Sequence, residues 1–106
     1  MSSQGERIGT NEALFREVNE RIDQLHDELG GAKAFEIVCE CGDSSCVERF
    51  TITSVDYEEL RRDVHRFAVV PGHERPGIEQ VVEKRKDYFV VEKTDRDAQR
   101  AAEELA

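Results

Sequence analysis

Three cysteines and one later histidine are the residues whose types and spacing can do chemistry. Cys39, Cys41 and Cys46 lie within one short stretch, and His73 follows at the end of the segment 70–73. Thiolate sulfur and imidazole nitrogen are ligands that zinc takes in structural sites, where four of them surround the ion as a tetrahedron. The sequence therefore predicts a structural Zn²⁺ site with these four residues as its ligands.

The residues between the cysteines allow their sulfurs to meet. Cys39 and Cys41 are two positions apart, and side chains with that spacing on an extended chain point to the same side. Gly42 accepts backbone conformations that other residues do not, and the polar residues after it favour a turn, so the chain can return Cys46 to the first pair. The sequence Val-Pro-Gly-His at 70–73 is typical of a type II turn, which would fix the direction of the imidazole.

The sequence leaves two questions open: which residue is the fourth ligand, and which groups offset the negative charge of the site. His73 is favoured because of its turn, whereas His65 lies among charged neighbours and His26 lies on the polar side of a predicted helix. The remaining alternatives for the fourth ligand are Asp43, Glu74 and water. Three thiolates and a neutral imidazole give a zinc site a net charge of about −1, and we expect Arg49 or the loop's backbone amides to offset it.

Two other interpretations of the cysteines involve no metal. In the first, Cys39 and Cys46 are small buried hydrophobic residues and Cys41 is an exposed thiol. In the second, the cysteines form a reversible disulfide. Cys39 and Cys41 are too close in sequence for an unstrained bridge, but either of them can reach Cys46.

Composition excludes several classes of protein. The formal net charge is −9, from 24 acidic and 15 basic residues, which argues against nucleic-acid binding. No stretch approaches the roughly 20 apolar residues of a membrane span, and the N-terminus lacks the apolar core of a secretory signal. The odd number of cysteines cannot all pair within the chain, so we expect reduced thiols in a cytoplasmic protein.

The chain predicts an α+β fold in four parts. Residues 1–10 are polar without an apolar period and are expected to form a flexible tail. Residues 11–31 predict an amphipathic helix, capped by Thr10 or Asn11 and ended by two glycines. Residues 32–93 predict a small zinc-stabilised α+β domain, and residues 94–106 a C-terminal helix or tail. The apolar side chains of the first helix recur at spacings of three and four: Phe15, Val18, Ile22, Leu25 and Leu29.

The predicted domain is a small, mostly antiparallel sheet with one short helix. Two runs rich in β-branched and aromatic residues flank the cysteine loop and indicate an antiparallel hairpin with a zinc-knuckle-like tip. A segment around Val81 and Val82 is interpreted as a strand that pairs with the last one. The predicted strands are 35–39, 49–53, 67–70, the segment at 81–82, and 88–92, with the helix at 55–64.

Two motifs carry a resemblance to a known domain. C-x-C-G-D-x-x-C begins at Cys39, and P-G-H-E begins at Pro71. With them, residues 35–93 resemble a short uncharacterised domain of high-GC Gram-positive bacteria, and residues 11–20 resemble the helix that often precedes it. The resemblance implies that the cysteine and histidine motifs act as one unit, and it implies no activity. The other matching residues are 48–49, 57–58, 66–67 and 88–93.

We find no catalytic constellation in the sequence. It contains no recognisable nucleophile–base pair, phosphate loop or supported carboxylate pair, so we do not expect an enzyme.

The leading hypothesis is a regulatory protein–protein interaction module that holds an unknown protein partner through its first helix or its acidic surface. A homodimer through that helix is one such arrangement, because the spacing is heptad-like over about two heptads. The alternative is a thiol or metal redox sensor whose cysteine cluster releases zinc on oxidation.

Overall fold

The computed structural model describes residues 3–106 and has the predicted α+β fold. The strands divide into two antiparallel sheets: β1 pairs with β2, and β5 lies between β3 and β4. In chain order the elements are α1 (Gln4–Glu28), β1 (Ala34–Val38), β2 (Arg49–Thr53), α2 (Ser54–Arg61), β3 (Arg66–Val69), β4 (Glu79–Lys84), β5 (Phe89–Lys93) and α3 (Arg96–Glu104). Within the described range, no helix is long and apolar enough to cross a membrane.

The predicted hairpin around the cysteine loop is confirmed. Phe35 pairs with Ile52 and Ile37 pairs with Phe50, and all four side chains are buried on one face. Residues between them point to the opposite, exposed face, as the two-residue period of a strand requires. The hairpin therefore presents one apolar face to the core.

The second sheet supplies the other half of the core. Its strand β3 contributes Phe67, Ala68 and Val69, all fully buried, as expected for a strand covered on both faces. The predicted pairing of the segment at 81–82 with the last strand is confirmed, with a bulge between Val81 and Glu83. The two sheets meet where the amide of Glu40, just after β1, donates to the carbonyl of Ala68 at 2.9 Å.

The prediction of a flexible tail at residues 1–10 is wrong from Gln4 onward; Met1 and Ser2 lie outside the described residues. Helix α1 begins at Gln4, and the Ser3 side chain caps it by accepting a hydrogen bond from the Glu6 amide at 3.0 Å. Ile8 is buried, and a Cβ on Gly9 would lie 2.9 Å from the Cα of Ala98 in α3. Glycine weakens an isolated helix, but here its small size permits close packing against α3. The stability gained from this packing outweighs the low helix propensity of glycine.

The apolar face of α1 is only partly buried: Ile22 packs against the core, whereas Leu25 and Leu29 are exposed. The fully buried side of the helix carries Glu12, Arg16 and Asn19, while Leu14 and Val18 are exposed. Each buried polar side chain has partners distant in sequence, which offset part of the usual penalty for burial. Arg16 donates to the carbonyls of Val64 and Ala102, at 3.0 and 2.9 Å. Glu12 and Glu79 both bind the buried ammonium group of Lys93.

The C-terminal segment, predicted as a helix or a tail, contains helix α3. The Asp95 side chain caps it by accepting a hydrogen bond from the Ala98 amide at 3.0 Å. Three alanines of the helix are buried, and their small side chains allow the close approach to α1. Packing of this face supplies the stability that so short a helix lacks in isolation.

Candidate metal centre

The four predicted ligands lie together in the structure, close enough to hold a metal ion. One ligand atom from each of Cys39, Cys41, Cys46 and His73 lies within 4.8 Å of the others. The His73 Nδ1 atom is 3.6 Å from the Sγ of Cys39 and 3.6 Å from the Sγ of Cys46. Bonds of about 2.3 Å in a tetrahedral site place sulfurs roughly 3.8 Å apart, so these separations suit metal binding.

The cysteine loop is shaped by its own backbone and by Asp43. The Cys39 amide continues the hairpin by donating to the Glu48 carbonyl at 2.9 Å. The Cys46 amide then donates to the Asp43 carbonyl at 3.0 Å, which closes the turn that returns the third sulfur. The Asp43 carboxylate accepts from the Ser45 amide at 2.9 Å and stabilises the same turn. The sulfurs are therefore brought together by local hydrogen bonds.

The turn that carries His73 is the predicted one. The His73 amide donates to the Val70 carbonyl at 2.9 Å, and Gly72 has a φ of +95°, as the third position of a type II turn requires. The Glu74 carboxylate accepts from the Gly72 amide at 2.7 Å. Because β3 ends immediately before this turn, the second sheet positions the fourth candidate ligand.

The rival histidines have other partners. The Nε2 atom of His65 lies 2.7 Å from a carboxylate oxygen of Glu103, and the His26 ring stacks on Phe35 with centroids 4.5 Å apart. Neither belongs to the cysteine cluster. Among the histidines, His73 is therefore the one placed to be a ligand.

The crowded thiols have strongly shifted pKa values. A hydrogen bond from the Cys39 thiol lowers the pKa of Cys41 to about 5, with help from the Asp43 amide and His73. The pKa of Cys39 is raised because its proton is held against the Cys41 thiolate and because the thiol is buried. Burial also raises the pKa of Cys46. One thiolate, the form that binds metal, is thus already favoured at neutral pH.

The alternative with Cys41 as an exposed thiol is wrong. Cys39 and Cys41 are both buried, and Cys46 is partly buried. An open surface cavity of about 250 Å³ adjoins the site and gives it contact with solvent. Its lining is Cys41, Asp43, Gly72, His73, Glu74 and Arg75.

Glu40 is a residue of the site that sequence reasoning missed. It is fully buried between the first two cysteines. One carboxylate oxygen accepts from Arg61 at 2.7 Å and from the Ala68 amide at 3.0 Å, and the other accepts from Asn19 at 2.7 Å. These partners lie on α2, β3 and α1, so Glu40 joins the base of the loop to three elements. The sequence feature that could have revealed Glu40 is the two-residue period of a strand. A residue between two candidate ligands then points away from their side and toward the interior.

The basic residue beside the loop is Arg75, and the expectation for Arg49 is wrong. Arg49 lies on the exposed face of the hairpin, 3.9 Å from the Glu36 carboxylate. The Nε atom of Arg75 donates to the Cys41 carbonyl at 3.0 Å. Arg75 follows the His73 turn, so this hydrogen bond ties the cysteine loop to the segment after β3.

Two glycines of the site give a matched test of how tightly the loop packs. Both have positive φ, +80° at Gly42 and +95° at Gly72. A Cβ at Gly42 would lie 2.8 Å from the Cγ2 of Ile8, whereas a Cβ at Gly72 would meet nothing within 4 Å. Gly72→Ala is therefore expected to cost about 1–2 kcal/mol of backbone strain alone. Gly42→Ala should cost roughly 1–3 kcal/mol more from overpacking, measured by denaturant unfolding. Equal losses of unfolding free energy in Gly42→Ala and Gly72→Ala would contradict the close contact of Gly42 with α1.

Comparisons of the chain with protein-family models, with curated proteins and with solved structures found no match.

Proposed function

We propose that this chain is a small protein whose fold is stabilised by a structural zinc ion, held by Cys39, Cys41, Cys46 and His73. The observation that carries the proposal is the convergence of their ligand atoms within 4.8 Å. Three soft sulfurs and one imidazole favour zinc over harder cations such as Mg²⁺ or Ca²⁺. Four protein ligands complete a tetrahedron and leave no position for a substrate, which supports a structural role over a catalytic one.

The ion would add a link between two parts of the fold that already share one hydrophobic core. Three ligands come from the loop of the β1–β2 hairpin, and the fourth comes from the turn after β3. The Glu40 amide and carboxylate already join these parts at Ala68. A metal ion bound beside that junction would prevent the sheets from separating, which is how a small domain gains stability that its core alone does not provide.

Native mass spectrometry of the reduced protein tests the site. We expect one bound zinc, lost in Cys41→Ser and in His73→Ala but retained in His65→Ala, whose imidazole pairs with Glu103. A reduced wild-type protein that takes up no zinc would contradict the proposal.

Treatment with mild peroxide, followed by the same mass measurement, separates a structural site from a redox sensor. A structural ion stays bound, whereas release of the ion with loss of free thiols would favour the redox-sensor alternative.

The first helix supports a role as an interaction module. Leu14, Val18, Leu25 and Leu29 form an apolar stripe along α1 and its C-cap, with exposed fractions of 53%, 44%, 56% and 86%. From Glu20 onward no residue of α1 is fully buried. Large apolar side chains exposed along one side of a helix are a feature of interaction surfaces. We refer to these four residues as the leucine stripe.

A second copy of the chain is the partner that the leucine stripe fits. Its residues are spaced symmetrically about the middle of the stripe, so two antiparallel helices would place Leu14 of each copy against Leu29 of the other. Val18 and Leu25 would meet in the same way. A two-fold interface must be self-complementary, and this spacing satisfies that condition. Glu17 and Arg21, 3.8 Å apart, border the stripe and bring balanced charge to it.

Sedimentation at several concentrations tests this dimer. Wild-type protein should show a concentration-dependent dimer, and Leu25→Glu should abolish it without lowering the stability of the monomer. Val55→Glu is the control, because Val55 is 74% exposed and lies outside the stripe. A wild-type protein that is a strict monomer at every accessible concentration would rule out the dimer.

A further inference from the structure

The side chain of Asn19 on α1 binds the backbone beside the first metal ligand. Its Oδ1 atom accepts from the Val38 amide at 2.9 Å, and its Nδ2 group donates to the Val38 carbonyl at 2.9 Å. The same Nδ2 group donates to the Glu40 carboxylate at 2.7 Å. Both amide protons and one lone pair are therefore used, within a side chain that is fully buried.

These bonds replace a missing strand neighbour. The Cys39 amide points toward β2, where it bonds to Glu48, so the polar groups of Val38 point to the opposite edge of β1. The Asn19 amide satisfies both of them, as a neighbouring strand would. It thereby holds both neighbours of Cys39, Val38 by its backbone and Glu40 by its side-chain carboxylate.

Helix α1 contacts the loop at a second place, on the other side of Cys41. The Asn11 side chain donates to the Gly42 carbonyl at 3.0 Å. Ile8 and Glu12 pack so closely on Gly42 that a Cβ there would meet them at 2.8 and 3.0 Å. The helix therefore holds the cysteine loop at its base and at its bend.

We propose that Asn19 is a positioning residue of the metal centre, which directs the Cys39 sulfur toward the other ligands by holding residues 38–40. The inference rests on the proposed zinc site. Because coupling between two binding events is reciprocal, metal binding in turn strengthens the contact of α1 with the loop. The metal and the helix then stabilise one arrangement of the loop together.

Arg16 provides a matched control on the same helix. Like Asn19 it is buried and binds backbone carbonyls, but its partners Val64 and Ala102 lie away from the cysteine loop. Asn19→Ala and Arg16→Met should both lower stability. Only the first is expected to lower the zinc affinity of the folded protein, by at least about fivefold. Competition with a chromogenic chelator measures the affinity, and the visible absorption of bound Co²⁺ reports whether the tetrahedral geometry has changed.

The outcomes separate positioning from general destabilisation. Loss of affinity in Asn19→Ala alone, with an altered Co²⁺ spectrum, supports the proposal. Equal losses in both variants, or no loss in either, would overturn it. A wild-type protein that binds no zinc would instead refute the proposed function itself, which is a different result.

Hydrogen exchange of the wild-type protein tests the reciprocal effect without any variant. Zinc should slow amide exchange in residues 8–19 of α1, which contact the loop, more than in residues 20–28, which do not reach full burial. Equal protection of the two halves would overturn the coupling, even if Asn19→Ala fails to fold.

Discussion

Removing the metal from the wild-type protein is expected to lower its free energy of unfolding by on the order of 10 kcal/mol. The candidate ligands come from two parts of the fold, so without the ion three crowded thiols and an imidazole would be joined at their junction only by weak hydrogen bonds. Domains of this size are stable by only about 5–15 kcal/mol in total. Chelation should therefore lower the melting temperature of the protein steeply, as circular dichroism during thermal melting will show.

Two variants control this experiment. Cys41→Ser should melt at the same low temperature with or without added zinc, because the ion can no longer bind tightly. His65→Ala should respond to chelation and to renewed zinc as the wild type does. If strong chelation removes the ion while the melting temperature of the wild type stays the same, the metal is not a structural one.

The candidate site was predictable because its information is local. The residue types of the ligands, the two-residue spacing of Cys39 and Cys41, and the Pro-Gly turn before His73 are all visible within a few residues. The same holds for the β1–β2 hairpin, whose alternating pattern needs no knowledge of the remaining chain. Local geometry brings the three sulfurs together, and the packing of the hairpin against the second sheet brings His73 to them.

The orientation of α1 was not predictable for the opposite reason. Its buried residues Glu12, Arg16 and Asn19 are polar, and a periodicity argument assigns such residues to solvent. Their partners lie far away in sequence, among them Lys93 for Glu12. Burial raises the pKa of Glu12 although Lys93 opposes the shift, so this carboxyl group is held in the core against its solvation preference. Only the tertiary fold shows that these partners exist.

Glu40 shows the same limit inside the site. Its neighbours Cys39 and Cys41 were recognised from their spacing, but nothing local indicates that Arg61 and Ala68 would come to its carboxylate. The polar surroundings of the loop are built from long-range contacts. Sequence reasoning therefore found the candidate ligands and missed the residues that orient them.

Zinc binding near pH 8 is expected to release about two protons. The pKa of Cys41 lies near 5, so this thiol is ionised before the metal arrives and contributes no proton. Cys39 and Cys46 have pKa values raised above the ordinary thiol range, so each must lose its proton when zinc binds. Titration calorimetry in two buffers of different ionisation enthalpy measures the number directly.

The same two protons set the pH dependence of the affinity. As pH falls below the raised pKa values of Cys39 and Cys46, protons compete with zinc for these two thiols. The apparent affinity should then drop about 100-fold per pH unit, tenfold for each proton. Cys46→Ser removes one of the two thiols and should reduce both the proton count and the slope to about one. Release of three protons by the wild type would instead show that Cys41 is protonated before binding, and that the hydrogen bond from Cys39 does not stabilise its thiolate.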